Sequence, residues 1–426
     1  MKIDSTFSAF KSRNFRLFFS GQAVSLVGTW MQRTAVSWII YTLTHSTLIL
    51  GITAFASLFP SFVLSLVGGV VSDRYNRHKV LLVTQIASMI QAALLAIMVL
   101  TNHYSVWGII VLSVILGIVN AFDVPARQSL VYEMVDDKAD LANALALNSS
   151  MVTFSRIVGP PIAGIILAQF GNGICFVLNA LSFVAVIFSL LQMRLPDYHP
   201  NPHTKNVFQE MREGFTYLKQ TPSITYILIM LALVSLFVLP FGNLMPVYAE
   251  QIFKGNARTF GVIDGVIAAG SFAAAVFLAT LPSGSNLKKV LAVNTLIFGS
   301  GLVLFSHQGN YWLFLVFCAM AGYGMMSQIT ISNTILQTTV IPAMRGRVVS
   351  FYAMAFFGMM PLGGLLIGAI SHLIGTQNTI LGEGIIALII GLVHLRFLKI
   401  NRKKYKMMRE QVQAATDLEL SDLSPS

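Results

Sequence analysis

A chain of 426 residues that is 55% hydrophobic and only 11% charged falls outside the ordinary soluble class, whose domains carry about 25% charged residues. Its apolar runs call for a bilayer as solvent. The net charge of +11 raises nucleic-acid binding as an alternative, and the placement of the basic residues argues against it.

Twelve apolar spans follow one another at roughly 15–43, 47–71, 79–101, 105–127, 141–169, 172–193, 223–249, 258–282, 287–307, 310–338, 346–374 and 378–398. Each is long enough to cross a hydrocarbon core, which takes about 20 helical residues. Each is predicted to be a helix, because a lone segment in lipid must satisfy its own backbone hydrogen bonds. The first run is too long for the apolar core of a signal peptide and lacks a small-residue cleavage pattern after it, so it is expected to stay as a span.

The basic residues fall almost entirely on one side. Of 28 Lys and Arg, 24 lie before span 1, after the even-numbered spans or in the tail, 2 (Lys254 and Arg258) lie in the alternate loops, and Arg33 and Arg156 lie inside spans. The positive-inside rule then predicts both termini in the cytoplasm. The basic tail from Arg396 to Arg409 reads as a topological anchor, with binding to anionic lipid heads as the alternative. Cys175 and Cys318 sit in apolar runs, so no disulfide is expected.

Between spans 6 and 7, prolines in LPDYHPNPHTK forbid a helix, and NVFQEMREGFTYLKQ follows. There Phe208, Met211, Phe215 and Leu218 recur every three or four residues among charges, which predicts an amphipathic helix at the cytoplasmic surface. This stretch divides the chain into a six-helix bundle over 1–194, a linker over 195–222, a second six-helix bundle over 223–399 and a tail over 400–426. The halves read as degenerate copies: IVGPPIAGIILAQFG in span 5 matches FGMMPLGGLLIGAISHLIG in span 11, and His78-Lys79-Val80-Leu81 matches Lys288-Lys289-Val290-Leu291. Such repeats are a mark of secondary transporters, with the binding site near the midplane where the repeats meet. The predicted class is an all-α membrane protein of twelve transmembrane helices in two six-helix pseudo-repeats.

The loop GVVSDRYNRHKVLL, with Gly69, Asp73, Arg74 and Arg77, resembles the loop 2–3 signature of the major facilitator superfamily of transporters. Asn76 stands where that signature has a second Gly, and Asn also enters left-handed backbone conformations, so the tight turn is expected to survive. The resemblance implies a conformational latch: Asp73 beside the N-terminus of span 11, where a carboxylate gains from the helix dipole, and Arg77 reaching Asp123 on span 4. In span 5, Gly159-Pro160-Pro161-Ile162-Ala163-Gly164 resembles the GPxxGG signature of antiporters in the superfamily, with Ala163 in place of one Gly. Gly159, Pro160 and Gly164 then imply export, with plain helix packing as the alternative. The segments GQAVSLVGTWMQRTAVSWIIYTLT, VPARQSLVYEMV, VFQEMREGFTYLKQTPSI and PAMRGRVVSFYAMAFFGMMPLGG resemble the branch containing enterobactin exporters and macrolide efflux proteins.

Four ionisable residues lie within spans: Arg33, Arg156, Asp264 and Glu383. Charges at depth cost several kcal/mol unless paired or hydrated, so each is a candidate for substrate binding or coupling. In the superfamily's fold span 1 borders the central cavity, which makes Arg33 the stronger candidate for contact with an anionic or strongly hydrogen-bonding substrate. Asp264 is the candidate proton carrier, with pairing to Arg258 as its alternative. Glu383 is expected at the membrane interface. Pro200 and Pro202 prevent His199 and His203 from aiming at one metal, and no phosphate loop, zinc motif or nucleophile elbow is present, so neither metal nor cofactor is expected. Together these readings imply a monomeric exporter of a small organic molecule (siderophore, drug or metabolite) in a bacterial-type inner membrane, working by alternating access with protons as the coupling ion. The rivals are a lysophospholipid flippase on the same fold and a membrane enzyme, which would need a cluster of acids or histidines at one face.

Overall fold

The computed structural model describes residues 7–103, 105–195, 207–282 and 284–422. The histidine pair and the proline-rich part of the linker lie outside the described residues. The spans are helices at Arg13–Thr44, Thr47–Arg74, Arg77–Leu100, Val106–Met134, Leu141–Phe170 and Ile174–Leu191 in the first half. In the second half they run Pro222–Ile252, Ala257–Ala279, Leu287–Ser306, Tyr311–Thr339, Pro342–Ile374 and Thr376–Asp422. Eleven of them are long and apolar enough to cross a membrane.

Span 1 is the twelfth, and its lower hydropathy has a structural cause. Its Gln22, Ser25, Gln32 and Thr34 are buried inside the protein rather than turned to lipid. Gln32 Nε2 donates to Gln91 Oε1 at 3.0 Å, Asn179 Nδ2 donates to Gln32 Oε1 at 2.8 Å, and Gln91 Nε2 donates to the Leu112 carbonyl at 3.2 Å. A connected polar network of this kind ties spans 1, 3, 4 and 6 into one arrangement.

The repeat extends to matching details. Asn76 caps span 3 by accepting from the Lys79 amide at 3.1 Å, and Asn286 caps span 9 by accepting from the Lys289 amide at 3.1 Å. Asn76 has φ −58°, so the expected left-handed turn is absent: its side chain caps the next helix instead, a role Gly could not fill. Within each half the second and fourth spans cross on glycines, Gly68 against Ala121 and Gly117 against Ser57, then Gly270 against Ala319 and Gly322 against Ile267.

Four elements depart from the plain pattern, one of them span 11, which carries a π-helical turn over Met354–Gly358. Span 7 is broken: an α-helix over Pro222–Phe237, a 3₁₀ segment over Leu239–Leu244 and a π-helical turn over Tyr248–Ile252, with Pro240 and Pro246 each removing an amide donor. Span 12 continues as one helix to Asp422, where only a tail was expected. The linker helix, Val207–Gln220, docks on the second half: Leu218 is buried beside Ile224, Ile335 and Val348, and Glu213 pairs with Arg347 at 2.6 Å. The first half has a parallel device, since the turn Ser8–Lys11 is pinned by the Ala9 amide donating to Asn143 Oδ1 at 3.1 Å near the start of span 5.

The two halves meet along spans 2 and 11 and along spans 5 and 8, toward the face opposite the chain ends. This opposite face is called the far face below, and the other the terminal face.

Candidate functional site

Two glycine crossings close the far face. Gly164 of span 5 packs on Ala257 and Gly261 of span 8: a Cβ at Gly164 would sit 2.7 Å from the Ala257 carbonyl oxygen. Gly51 of span 2 packs on Gly364 and Gly368 of span 11: a Cβ at Gly368 would sit 2.6 Å from the Thr47 carbonyl oxygen. Thr47 Oγ1 also donates to the Gly368 carbonyl at 3.0 Å. Gly159, one residue before Pro160, turns the other way, onto Trp30 of span 1, while the Pro160 carbonyl abuts Gly261. The span 5 motif therefore packs span 1 within its own half and span 8 across the halves. The second crossing is its repeat counterpart, which the sequence reading had noted only as a similar run.

Below the 5/8 crossing three of the four charged residues within spans converge. Arg33 and Arg156 approach one indole, with their guanidinium carbons 5.2 Å and 5.7 Å from the centroid of Trp30. Such placement is favourable because the ring face is negative. Arg156 Nη2 also lies 3.9 Å from the sulfur of Met325 on span 10. Asp264 is within electrostatic reach of both arginines, and it lies one turn from Gly261 of the crossing. Arg33 is exposed at mid-span on the side of Asp264 of the second half, so it opens on the space between the halves. The alternative pairing of Asp264 with Arg258 is not what the structure shows. The cluster draws on spans 1, 5 and 8, with Met325 of span 10 at its edge, and two positive groups face one negative group.

Glu383 lies elsewhere, and its expected interface placement is corrected. It is 1% exposed, in the second bundle near Tyr248 and the close crossing of Gly299 with Gly384, and neither carboxyl oxygen has a hydrogen-bond partner. It is a buried core group, away from the arginines.

The latch residues are placed differently from the pairing the resemblance implied. Arg77 Nη1 pairs with Glu133 at 2.6 Å and Nη2 lies 3.7 Å from Asp73. Asp123 instead takes Arg127 at 3.3 Å and accepts from Thr84 Oγ1 at 3.0 Å and Gln85 Nε2 at 2.6 Å. The reason is depth: Asp123 lies ten residues, or about 15 Å, deeper along span 4 than Glu133, which is level with the loop. The repeat keeps the same knot without charge, Thr295 Oγ1 donating to Gln328 Oε1 at 2.7 Å. Asp73 is 55% exposed and Arg74 is exposed, and a Cβ on Gly69 or on Gly346 of span 11 would meet nothing within 4 Å. The structure is thus the state closed at the far face. Glu133 escaped the sequence reading because an acid near a helix end looks like any solvated charge.

Twelve helices in two repeats, closing on paired glycine crossings above a charged cavity, define a transporter of the major facilitator superfamily. The chain belongs, within it, to the transmembrane secretion effector family, which it matches over residues 4–421. Similar proteins include the staphyloferrin A transporter of Staphylococcus aureus, 27% identical over 91% of this chain and 96% of that one. The enterobactin exporter EntS of Shigella flexneri is 26% identical over 94% and 95%, and macrolide efflux protein A of Streptococcus pyogenes 23% identical over 90% and 96%. The fold is shared with solved structures of a mutant of nucleoside transporter NupG (TM-score 0.74, 12% identity, 90% of this chain and 99% of that one) and the peptide transporter PepTSo (TM-score 0.71, 13%, 92% and 99%). The family and these relatives are transporters, not enzymes.

Proposed function

We propose that this protein exports a small organic molecule bearing acidic groups across a bacterial plasma membrane, in exchange for protons. The observation that carries the reading is the cavity charge: Arg33 and Arg156 over the shared Trp30 face, with the Asp264 carboxyl within electrostatic reach of both. A guanidinium cannot lose its proton and must find acceptors, and a planar fork suits carboxylate or similar groups. The names of two relatives, an enterobactin exporter and a macrolide efflux protein, support the outward direction and a small organic substrate. Exchange requires that substrate and proton exclude one another. A substrate whose acidic groups occupy the arginines while a donor or cationic group meets Asp264 does this, because that group and a proton compete for one carboxylate.

Alternating access then has the units 1–194 and 223–399 rocking about the cavity, with the linker helix carried on the second, as one chain and without cofactor or metal. In sealed vesicles with a candidate panel, Arg33→Gln is expected to raise the apparent KM for the transported compound at least tenfold, the loss of one charge-assisted pair. Arg33→Lys should recover only part of it, because the charge returns without the fork. Wild-type affinity in both variants would return Arg33 to a packing role.

The orientation follows from the basic loops and is testable separately. In a background of Cys175→Ala and Cys318→Ala, cysteine at Gly309 on the far face should react with an impermeant thiol reagent outside intact cells, and cysteine at Gln220 on the terminal face should not. The reverse pattern would overturn the orientation.

A further inference from the structure

At the far face a side-chain pair joins the halves outside the glycine crossings. His45 is the C-cap of span 1 and holds a left-handed backbone, φ 46°, rare for a residue other than Gly. Its Nδ1 lies 3.6 Å from Oε2 of Glu250, which belongs to the π-helical turn ending span 7 in the second half. That oxygen is buried and has no hydrogen-bond donor. The Tyr41 ring meets the His45 ring edge-on at 5.8 Å and so backs the imidazole on the side of its own helix. A strained backbone persists where its surroundings hold it, and π-helical turns recur at functional sites. Here both devices deliver one titratable group from each half to a single point.

We propose that His45 and Glu250 form a proton-binding lock on the far gate: a proton taken up by His45 closes the pair across the halves, and its loss loosens it. A neutral imidazole leaves the Glu250 carboxylate without a cation, whereas imidazolium supplies both charge and a second N–H donor. Tyr41 on span 1 is within reach of Glu250. Lys254 and Arg258 are the basic residues on the loop and first turn after Glu250. His103, His307 and His372 also stand at this face, on other elements, and are separated from His45 by the variants below. The sense of the lock in the cycle rests on the orientation proposed above: external acid then favours the closed far gate, the direction a proton-exchanging exporter needs to return inward.

The pH response itself does not depend on orientation, so it is read on full-length protein in lipid nanodiscs with both sides at one pH. Spin labels on Trp107→Cys and Trp312→Cys, with Cys175→Ala and Cys318→Ala, report the separation of the far ends of spans 4 and 10, where both tryptophans are exposed. Between pH 8 and pH 5 the ratio of closed to open far-face population is expected to rise about two- to fivefold, the range for a partly exposed ion pair. His45→Gln and, independently, Glu250→Gln should flatten that rise. His45→Lys should keep the closed population high at both pH values, and His103→Gln should leave the rise intact. A parent protein with no rise, or a rise that survives in His45→Gln, overturns the lock.

Discussion

Gly368→Val should drive the protein out of the far-closed state. The new side chain meets backbone on span 2, with its Cβ 2.6 Å from the Thr47 carbonyl oxygen and 2.9 Å from the Gly51 Cα, and backbone cannot step aside as a flexible side chain can. Overpacking of this kind costs about 1–3 kcal/mol, so the ratio of far-closed to far-open protein should fall roughly 5- to 150-fold. Gly164→Val should act alike at the other crossing, where a Cβ lies 2.7 Å from the Ala257 carbonyl oxygen. Both clashes lie between the halves and are relieved by their separation. Gly270→Val clashes with Ala319 inside the second bundle instead, and should lower thermal stability without changing the state. Asp73→Asn should shift the population the opposite way, because it weakens closure of the terminal face alone. Distances between labels at the far ends of spans 4 and 10 measure all four variants. If Gly368→Val keeps the far-closed distance of the parent, the glycine crossings are packing and not a gate.

Asp264→Asn should abolish uphill, pH-driven export while sparing downhill exchange of substrate. The asparagine keeps the size and hydrogen-bonding capacity of the side chain but cannot carry a proton, and it removes the counter-ion shared by Arg33 and Arg156. Each net charge moved down a potential of 100 mV supplies about 2.3 kcal/mol, a concentration ratio of about fiftyfold, and this is the accumulation the variant should lose. Substrate binding should persist, because both arginines gain net positive field when the acid is neutralised. The measurement is accumulation in proteoliposomes under an imposed pH gradient, set against counterflow of labelled substrate with no gradient. Retained accumulation would move the coupling proton to another acid, and Glu383, buried without a partner, is then the next to substitute.

The sequence by itself determined the number of spans, most of their ends to within a few residues, the linker helix and the repeat, while span 4 runs on to Met134 and span 12 to Asp422. These are local or periodic properties: about 20 apolar residues in a row must be a helix in lipid, and a charged loop must leave it. It also singled out Arg33, Arg156 and Asp264, because a charge at depth is conspicuous whatever surrounds it. What those charges face was a matter of tertiary structure. Arg33 and Asp264 stand 231 positions apart, and only the packing of span 5 on span 8 brings them to one cavity. The same holds for Arg77, whose resemblance pointed to Asp123 while helix rise placed Glu133 at its level. Gly51, His45 and Glu250 carried no sequence signal, and Gly364 only that of a repeated run, since small residues and terminal polar groups occur in any membrane helix. Their roles arise because two rigid bundles touch at those points, and contact between distant surfaces is decided by shape, which no local pattern records.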